Sequence, residues 1–371
     1  VIPDFAGAPP RLGTDSTKWS RYAPDVLPMW VADMDVPVAP PIVEALAERL
    51  RHPVFGYAAV SDRARQAIAD RMGARHGWAV SPEHVVLLPG VVPGFNMAAR
   101  ALVPSGGSLH YHAPTYPPIR AVAAHWGLRD APLPVEADAG ELRRVMVRDD
   151  AFLLCNPHNP TGHAYARAEL EALAQACLSA RAWIIADEIH CDLLFDGRRH
   201  LPVASLAPEI AARTVTLMSP GKAFNIAGLK IAFAIIQDAD LRRRVEACRL
   251  GMVDQGSGLG LLALEAAFTQ CDGWLAALIA YLQANRDHLV QRLRNVGGLR
   301  IAAPQATFLA WLDLREAGLG PDPAHALLER GRVALNPGPD FGAPGFARLN
   351  FGCPREMLDE GIARITGCIP S

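Results

Sequence analysis

The sequence predicts an α/β protein: a large domain built on a mostly parallel sheet, with a smaller α/β domain attached. Three observations carry this. Short apolar runs alternate with helix-like stretches from His84 to Ile236, the pattern of a sheet whose faces are covered by crossover helices. Tyr116, Asn159, Asp187 and Lys222 each fall just past the end of such a run, where ligands of parallel sheets collect. With 371 residues, half of them hydrophobic, the chain is long enough for two lobes.

The stretch up to Pro41 is rich in proline and aspartate and reads as irregular, with one dense cluster at 28–35, and is expected to lie across the rest of the fold. Apolar residues at helical spacing predict helices over 42–50 and 62–76, and between them Phe55-Gly-Tyr57 is a bend carrying an aromatic hydroxyl. A strand over 84–88 breaks at Pro89-Gly90 and feeds a helix over 91–102, whose first amides form a potential anion site. Strands over 109–112, 151–155, 182–186 and 214–218 follow, with a helix over 169–177 among them. Beyond Ile236 the spacing predicts a long inter-lobe helix over 274–296 and a strand over 307–312. The expected division is a large domain at 46–280 and a small domain made of 1–45 together with 281–371.

A formal charge of −2, with no basic run, gives no pull toward nucleic acid or an anionic membrane, so the expected partner is a small molecule. Seven cysteines without a Cys-x-x-Cys pair fit reduced thiols rather than a disulfide framework or a zinc ribbon. The opening Val-Ile-Pro-Asp-Phe-Ala-Gly has no basic segment leading into an apolar one, and no apolar run reaches membrane-spanning length. A cytoplasmic location is expected.

Lysine usage singles out one position. The chain has 36 basic residues, of which only Lys18, Lys222 and Lys230 are lysine. Lys222 follows Ser219-Pro220-Gly221 between two apolar runs, and a lysine kept where arginine is the default suggests chemistry that needs an amine able to deprotonate and attack a carbonyl. A lysine amine, a strand-end carboxylate and a stacking aromatic on one rim are what pyridoxal phosphate requires, and Gly90-Val91-Val92, Ser219 and Lys230 are suited to its phosphate.

The motifs then point to a family. They are Pro-Met-Trp-Val-Ala-Asp-Met-Asp at 28–35, Pro-Gly-Val-Val at 89–92, Pro-Thr-Tyr-Pro-Pro at 114–118 and Cys-Asn-Pro-His-Asn-Pro-Thr-Gly at 155–162. To these are added Asp-Glu-Ile-His at 187–190, Lys-Ala-Phe-Asn-Ile-Ala-Gly-Leu at 222–229 and Arg-Leu-Asn-Phe-Gly-Cys-Pro-Arg at 348–355. The chain resembles, over nearly its whole length, the fold-type I pyridoxal-phosphate enzymes of the aminotransferase superfamily, and among them the cystathionine β-lyase-like C–S lyases of the MalY/PatB kind. The resemblance implies that Lys222 is the Schiff-base lysine, Asp187 pairs with the ring nitrogen, Asn159 bonds the ring hydroxyl and Tyr116 stacks on the ring. Ser219, Val91, Val92 and Lys230 would bind phosphate, with Tyr57 reaching it from the second subunit of a homodimer. Arg348 would hold the substrate carboxylate, with Trp30 and Asp33 beside it. His190 stands where aminotransferases usually place a tyrosine on the cofactor hydroxyl, Lys230 replaces an arginine, and Gly221 stands where relatives often carry threonine. The segment 252–260 is atypical.

No metal site is expected: Cys155, His158, Asp187 and His190 lack a recognised zinc spacing. Ser219-x-x-Lys222 lacks the Lys-Thr-Gly partner of penicillin-recognising enzymes, and Gly256-Ser-Gly-Leu-Gly260 lacks the third glycine of a dinucleotide loop and reads as a helix entrance. The lysine, base and sink serve β-elimination and transamination equally. The resemblance tips the expectation to cleavage of a cysteine S-conjugate, with an aminotransferase, or a specialised lyase or decarboxylating deaminase of secondary metabolism, as alternatives. A non-catalytic binding module is disfavoured by the intact Lys222 and Asp187.

Overall fold

The computed structural model describes residues 4–7, 9–59 and 62–370, so the first three residues of the opening stretch lie outside it. A seven-stranded sheet forms the large domain, from β1 (Val85–Leu88), β2 (Ser108–Ala113), β3 (Arg129–Pro134), β4 (Ala151–Cys155), β5 (Trp183–Asp187), β6 (Thr214–Met218) and β7 (Ala232–Ile235). Their spatial order is β1-β7-β6-β5-β4-β2-β3. β7 runs antiparallel to both neighbours and all other pairs are parallel. β1, β4 and β6 are buried along their whole length, as strands covered on both faces should be. Alternate residues serve opposite faces. Val86, Leu88, Leu153 and Leu217 pack toward the helices Val91–Leu102 and Pro117–Trp126. On the other face, Val85 and Leu87 meet Asp62–His76 and Gly258–Gln270, while Phe152 and Leu154 meet Arg167–Ala180.

This topology creates the site. β2, β4, β5 and β6 are mutually parallel, and β1, two antiparallel steps from β6, shares their direction. With β3, which runs parallel to β2, six strands therefore end on one rim, and β7 begins there. Helix Val91–Leu102 presses close to the sheet because Gly94 has no side chain; a Cβ there would come within 2.6 Å of Leu217 and 2.9 Å of Leu88.

The second sheet comprises β8 (Arg300–Ile301), β9 (Leu309–Asp313), β10 (Asn336–Pro337) and β11 (Phe346–Asn350), in antiparallel order β10-β11-β9-β8. Leu27–Pro28 pairs parallel with Val333–Ala334, which sets the N-terminal segment beside the C-terminal third. The boundaries expected at 45/46 and 280/281 fall inside two continuous helices, Pro40–Leu50 and Asp272–Leu293. Both helices contribute to one core with the small sheet, through Ile42, Leu275, Leu282, Leu289 and Leu349 among others. Among the described residues, no helix is long and apolar enough to cross a membrane.

Candidate active site

The rim encloses a cavity of about 540 Å³. Most of the residues expected at the site line it: Lys222, Asp187, Asn159, Tyr116, His190 and Arg348, with Val91, Val92, Ser219, Lys230 and Trp30 around them. Each is delivered by a local device. Lys222 sits on a single helical turn, Pro220–Ala223, capped by the Ser219 hydroxyl, which accepts a hydrogen bond from the Gly221 N–H at 2.9 Å. The turn is tight at Gly221, where a Cβ would meet Ser219 Oγ at 3.0 Å and Ala227 Cα at 3.3 Å, so a side chain there requires the neighbours to give by a few tenths of an ångström. Asp187 ends β5, and its Oδ1 accepts from the Ile189 N–H at 3.2 Å. Tyr116 is the residue before the helix Pro117–Trp126. Arg348 lies in the middle of β11, so it enters the cavity from the small domain.

The buried charges are unequal. Burial, aided by the charge of Arg348, pulls Lys222 down to about 8, against the opposing pull of Asp33 and Asp187. Burial pushes Asp187 up to about 7, although the Ile189 N–H and the Lys222 charge favour its ionised form. His190 is held well below the usual imidazole range by burial and then by Lys222 and Arg348, so it is neutral, and its Nδ1 is buried with no protein partner. Arg348 is lowered by burial to about 10 and remains a cation at neutral pH. Its Nη1 donates to Asn159 Oδ1 at 2.9 Å, and its Nη2 to Asn336 Oδ1 at 2.6 Å and the Trp30 carbonyl at 3.3 Å. None of these partners is charged. A buried guanidinium with only neutral partners is an unfinished ion pair, which an incoming carboxylate completes.

The donors fit a flat, phosphorylated aldehyde. Gly90 caps the helix Val91–Leu102 without a side chain, so the Val91 and Val92 amides have no partner a turn earlier, and Lys230 adds a compact positive charge on the same wall. Ser219 Oγ already donates to the Ile231 carbonyl at 2.7 Å, so to donate to a phosphate its hydroxyl must turn. Asp187, Asn159 and Tyr116 line the same cavity as these donors and Lys222. Cys155 lines the same cavity, but burial and the Asp187 charge push its thiol far above its ordinary range, so it is no nucleophile.

Two expected residues lie elsewhere. Tyr57 is fully exposed and does not line this chain's cavity. Asp33 does not line the cavity; its carboxylate is held by Arg11 at 2.9 Å, and it reaches Lys222 only through its field. What sequence reasoning missed is the backbone of the segment 30–36. Its carbonyls are bound one after another: Trp30 by Arg348, Val31 and Asp33 by Asn350, Ala32 by the Lys222 amine at 2.6 Å, and Met34 and Val36 by Asn225. Asn225 and Asn350 stand inside the motifs at 222–229 and 348–355, so they were visible as residues but not as roles. A bound carbonyl leaves no signature in residue type. The segment 252–260 lies outside the cavity: Ser257 caps Gly258–Gln270 and bonds the Leu229 carbonyl, and Gln255 bonds the Ala58 carbonyl beside Tyr57.

Comparison with known proteins agrees with this geometry. Residues 24–365 match the family described as aminotransferase class I and II. The chain is 35% identical over 383 residues to the cystathionine β-lyase PatB of Bacillus subtilis (strain 168), covering 97% of this chain and 98% of that one. The crystal structure of OvoB superposes with a TM-score of 0.93 at 40% identity, covering 100% of this chain and 99% of that one. A pyridoxal-phosphate-bound C–S lyase from Staphylococcus hominis superposes with a TM-score of 0.92 at 28% identity, covering 98% of both chains. With the match extending through both domains and the rim lysine, aspartate and arginine gathered on one cavity, the chain belongs to the aminotransferase class I and II family.

Proposed function

We propose that the protein is a pyridoxal-phosphate-dependent C–S β-lyase that cleaves a cysteine S-conjugate, cystathionine being the reference case, to a thiol, pyruvate and ammonia. The observation that carries the reading is the buried Arg348 guanidinium, which shares one cavity with the Lys222 amine and, among the described residues, has no carboxylate bonded to it. An amino-acid carboxylate on Arg348 brings its Cα toward Lys222. The activities in the names of the relatives, a cystathionine β-lyase and a C–S lyase, favour elimination among the reactions this geometry permits.

Bound pyridoxal phosphate supplies a sink for the electron pair released at Cα. Lys222 would hold the aldehyde of the bound cofactor, and its Nζ, once free, would be the base placed to take the Cα proton. Its lowered pKa keeps the neutral amine available near physiological pH. Asp187 pairs with the ring nitrogen, and a carboxyl that burial has raised to about 7 gains from a cationic partner. Asn159 orients the ring hydroxyl and, through Oδ1, the Arg348 fork, so it ties the cofactor to the substrate. The Val91 and Val92 amides, Lys230 and Ser219 take the phosphate, while Tyr116 and neutral His190 line the ring. As the Cβ–S bond breaks, Cα–Cβ becomes a double bond and sulfur leaves with the bonding pair; the Lys222 ammonium has the proton that the thiolate needs. Water then converts the three-carbon product to pyruvate and ammonia. We infer a homodimer in which Tyr57 reaches the partner's phosphate site, and a reducing cytoplasmic location that suits seven free cysteines.

Purified protein should be yellow and bleach with borohydride. Given cystathionine or S-alkyl cysteines and no keto acid, it should release pyruvate and thiol continuously. One stoichiometric turnover that resumes only on adding a keto acid would mean transamination. A colourless protein that gains no visible band with pyridoxal phosphate would overturn the cofactor assignment.

A further inference from the structure

Arg348 is held from behind by a turn that does not itself line the cavity. Its guanidinium lies over the ring of Phe341, with Cζ 4.9 Å from the ring centroid. Phe341 is fully buried, and Trp311, the cross-strand neighbour of Arg348, meets its ring edge-on at 5.3 Å between centroids. Asn159, Asn336 and the Trp30 carbonyl accept from the two ends of the guanidinium, while its Nε is buried with no protein partner. The aromatic ring is what supports its face.

Phe341 closes a single helical turn of the small domain, Gly338–Phe341, and the large domain grips the carbonyl end of that turn. Arg120 Nη1 donates to the Asp340 carbonyl at 2.6 Å and to the Pro339 carbonyl at 3.4 Å. The Thr115 N–H donates to the Phe341 carbonyl at 3.2 Å. Both donors stand next to the residue that lines the cavity beside them: Thr115 precedes Tyr116, and Arg120 sits in the first turn of the helix Pro117–Trp126 that Tyr116 caps. The turn is closely fitted at both ends. Gly342 follows it in the left-handed conformation, with φ of 90°, and a Cβ there would lie 3.5 Å from Arg120 Cζ. A Cβ at Gly338 would run into the Ala343 and Phe346 carbonyls. Arg120 itself is exposed, so it can be replaced without opening a core.

We propose that Arg120 is a positioning residue for the substrate carboxylate: it latches the small-domain turn to the large domain, and the turn holds Phe341 against the Arg348 guanidinium. With the latch open, Arg348 keeps the hydrogen bonds at its ends but loses the support of its face, and a guanidinium free to tilt no longer meets a carboxylate with two parallel hydrogen bonds. The latch therefore favours α-amino acids over amines without touching either. The inference rests on Arg348 as the carboxylate site and on pyridoxal phosphate as cofactor, and holds whether elimination or transamination follows.

The test uses the holoenzyme and a matched pair of ligands: alanine, which carries no group to eliminate, and ethylamine, the same skeleton without the carboxylate. Binding is read from cofactor absorbance. The wild type should favour alanine by roughly tenfold or more. Arg120→Ala should cut that preference roughly fivefold, Phe341→Leu by a similar factor and Arg120→Lys by less. With Arg120→Ala and Phe341→Leu combined, the loss should match that of Phe341→Leu alone, because Arg120 acts through the ring. Ratios taken within one variant do not depend on how much of it folds. Amide exchange at Thr115, followed in cofactor-free protein, should quicken in Arg120→Ala. An unchanged preference in Arg120→Ala, losses that multiply in the double variant, or Thr115 exchange equal to wild type would overturn the latch and leave Arg348 in its role. A wild type that binds the two ligands equally would overturn the carboxylate assignment of Arg348, and the latch with it.

Discussion

The lysine amine at the centre of the cavity is defined by what surrounds it. Lys222 Nζ donates to the Ala32 carbonyl at 2.6 Å, yet it is buried and shares its space with Arg348, so its ammonium form is penalised twice. The result is a pKa near 8 rather than the ordinary value of 10.5. Only the neutral amine attacks a carbonyl. Below pH 8 the neutral fraction, and with it the rate at which cofactor-free protein captures pyridoxal phosphate, should climb about tenfold per pH unit and then level off. A lysine of ordinary pKa would keep accelerating past pH 9. Rapid-mixing absorbance across this range reads the difference, and a profile with no plateau near 8 would show that burial does not tune the amine.

At the scale of elements, the segment 30–36 is the part whose role the structure reveals. Asn225, three residues beyond Lys222, holds it from one side, with Nδ2 donating to the Met34 and Val36 carbonyls and Oδ1 accepting from the Met34 N–H. Arg11 and Lys18 clamp Asp35 from the other. Replacing Asn225 with Ala removes three hydrogen bonds and leaves buried backbone groups without partners, a loss of roughly 2–4 kcal/mol. Hydrogen exchange should then quicken at residues 30–36 while the seven-stranded sheet stays protected, and KM should rise because Trp30 and the Ala32 carbonyl are no longer positioned. Exchange in the segment equal to wild type would remove it from the site's support. The same contrast explains what could be read from sequence. Helices at 62–76 and 91–102 and strands at 151–155 and 214–218 emerge to the residue, because continuous apolar runs and helical spacing are strong signals. β3 was not visible: Arg129–Pro134 is an edge strand, mostly exposed and without an apolar run, and its two prolines are tolerated only where no neighbour needs their missing N–H groups. Strand 307–312 begins two residues late, at Leu309, because Thr307 takes a left-handed conformation with φ of 72° and spends its hydroxyl on Leu309. Rim side chains such as Asp187 and Lys222 were legible because chemistry restricts residue type. The carbonyls of 30–36 were not, because every residue has one.

Over the whole molecule, the proposed homodimer would add one contribution to the site. Residues 53–59 have no regular structure and expose Val54, Phe55 and Tyr57 together, an apolar stretch that a lone subunit leaves in water. Leu250 and Met252 are also exposed, and Gln255 of the neighbouring stretch bonds the Ala58 carbonyl. The twofold pair proposed above would bury these exposed side chains against a copy and would carry each Tyr57 to the other's cavity. The protein should therefore sediment as a homodimer. Phe55→Asp, which places a charge in the contact, should shift it toward monomer and lower cofactor affinity with it. Tyr57→Phe should leave the dimer intact but weaken pyridoxal phosphate binding by roughly tenfold, the worth of one hydrogen bond to a charged group. These two variants separate assembly from contact. A fully active monomer would remove the need for a partner, whereas a Tyr57→Phe dimer of unchanged cofactor affinity would show that the subunits join without the tyrosine reaching the phosphate.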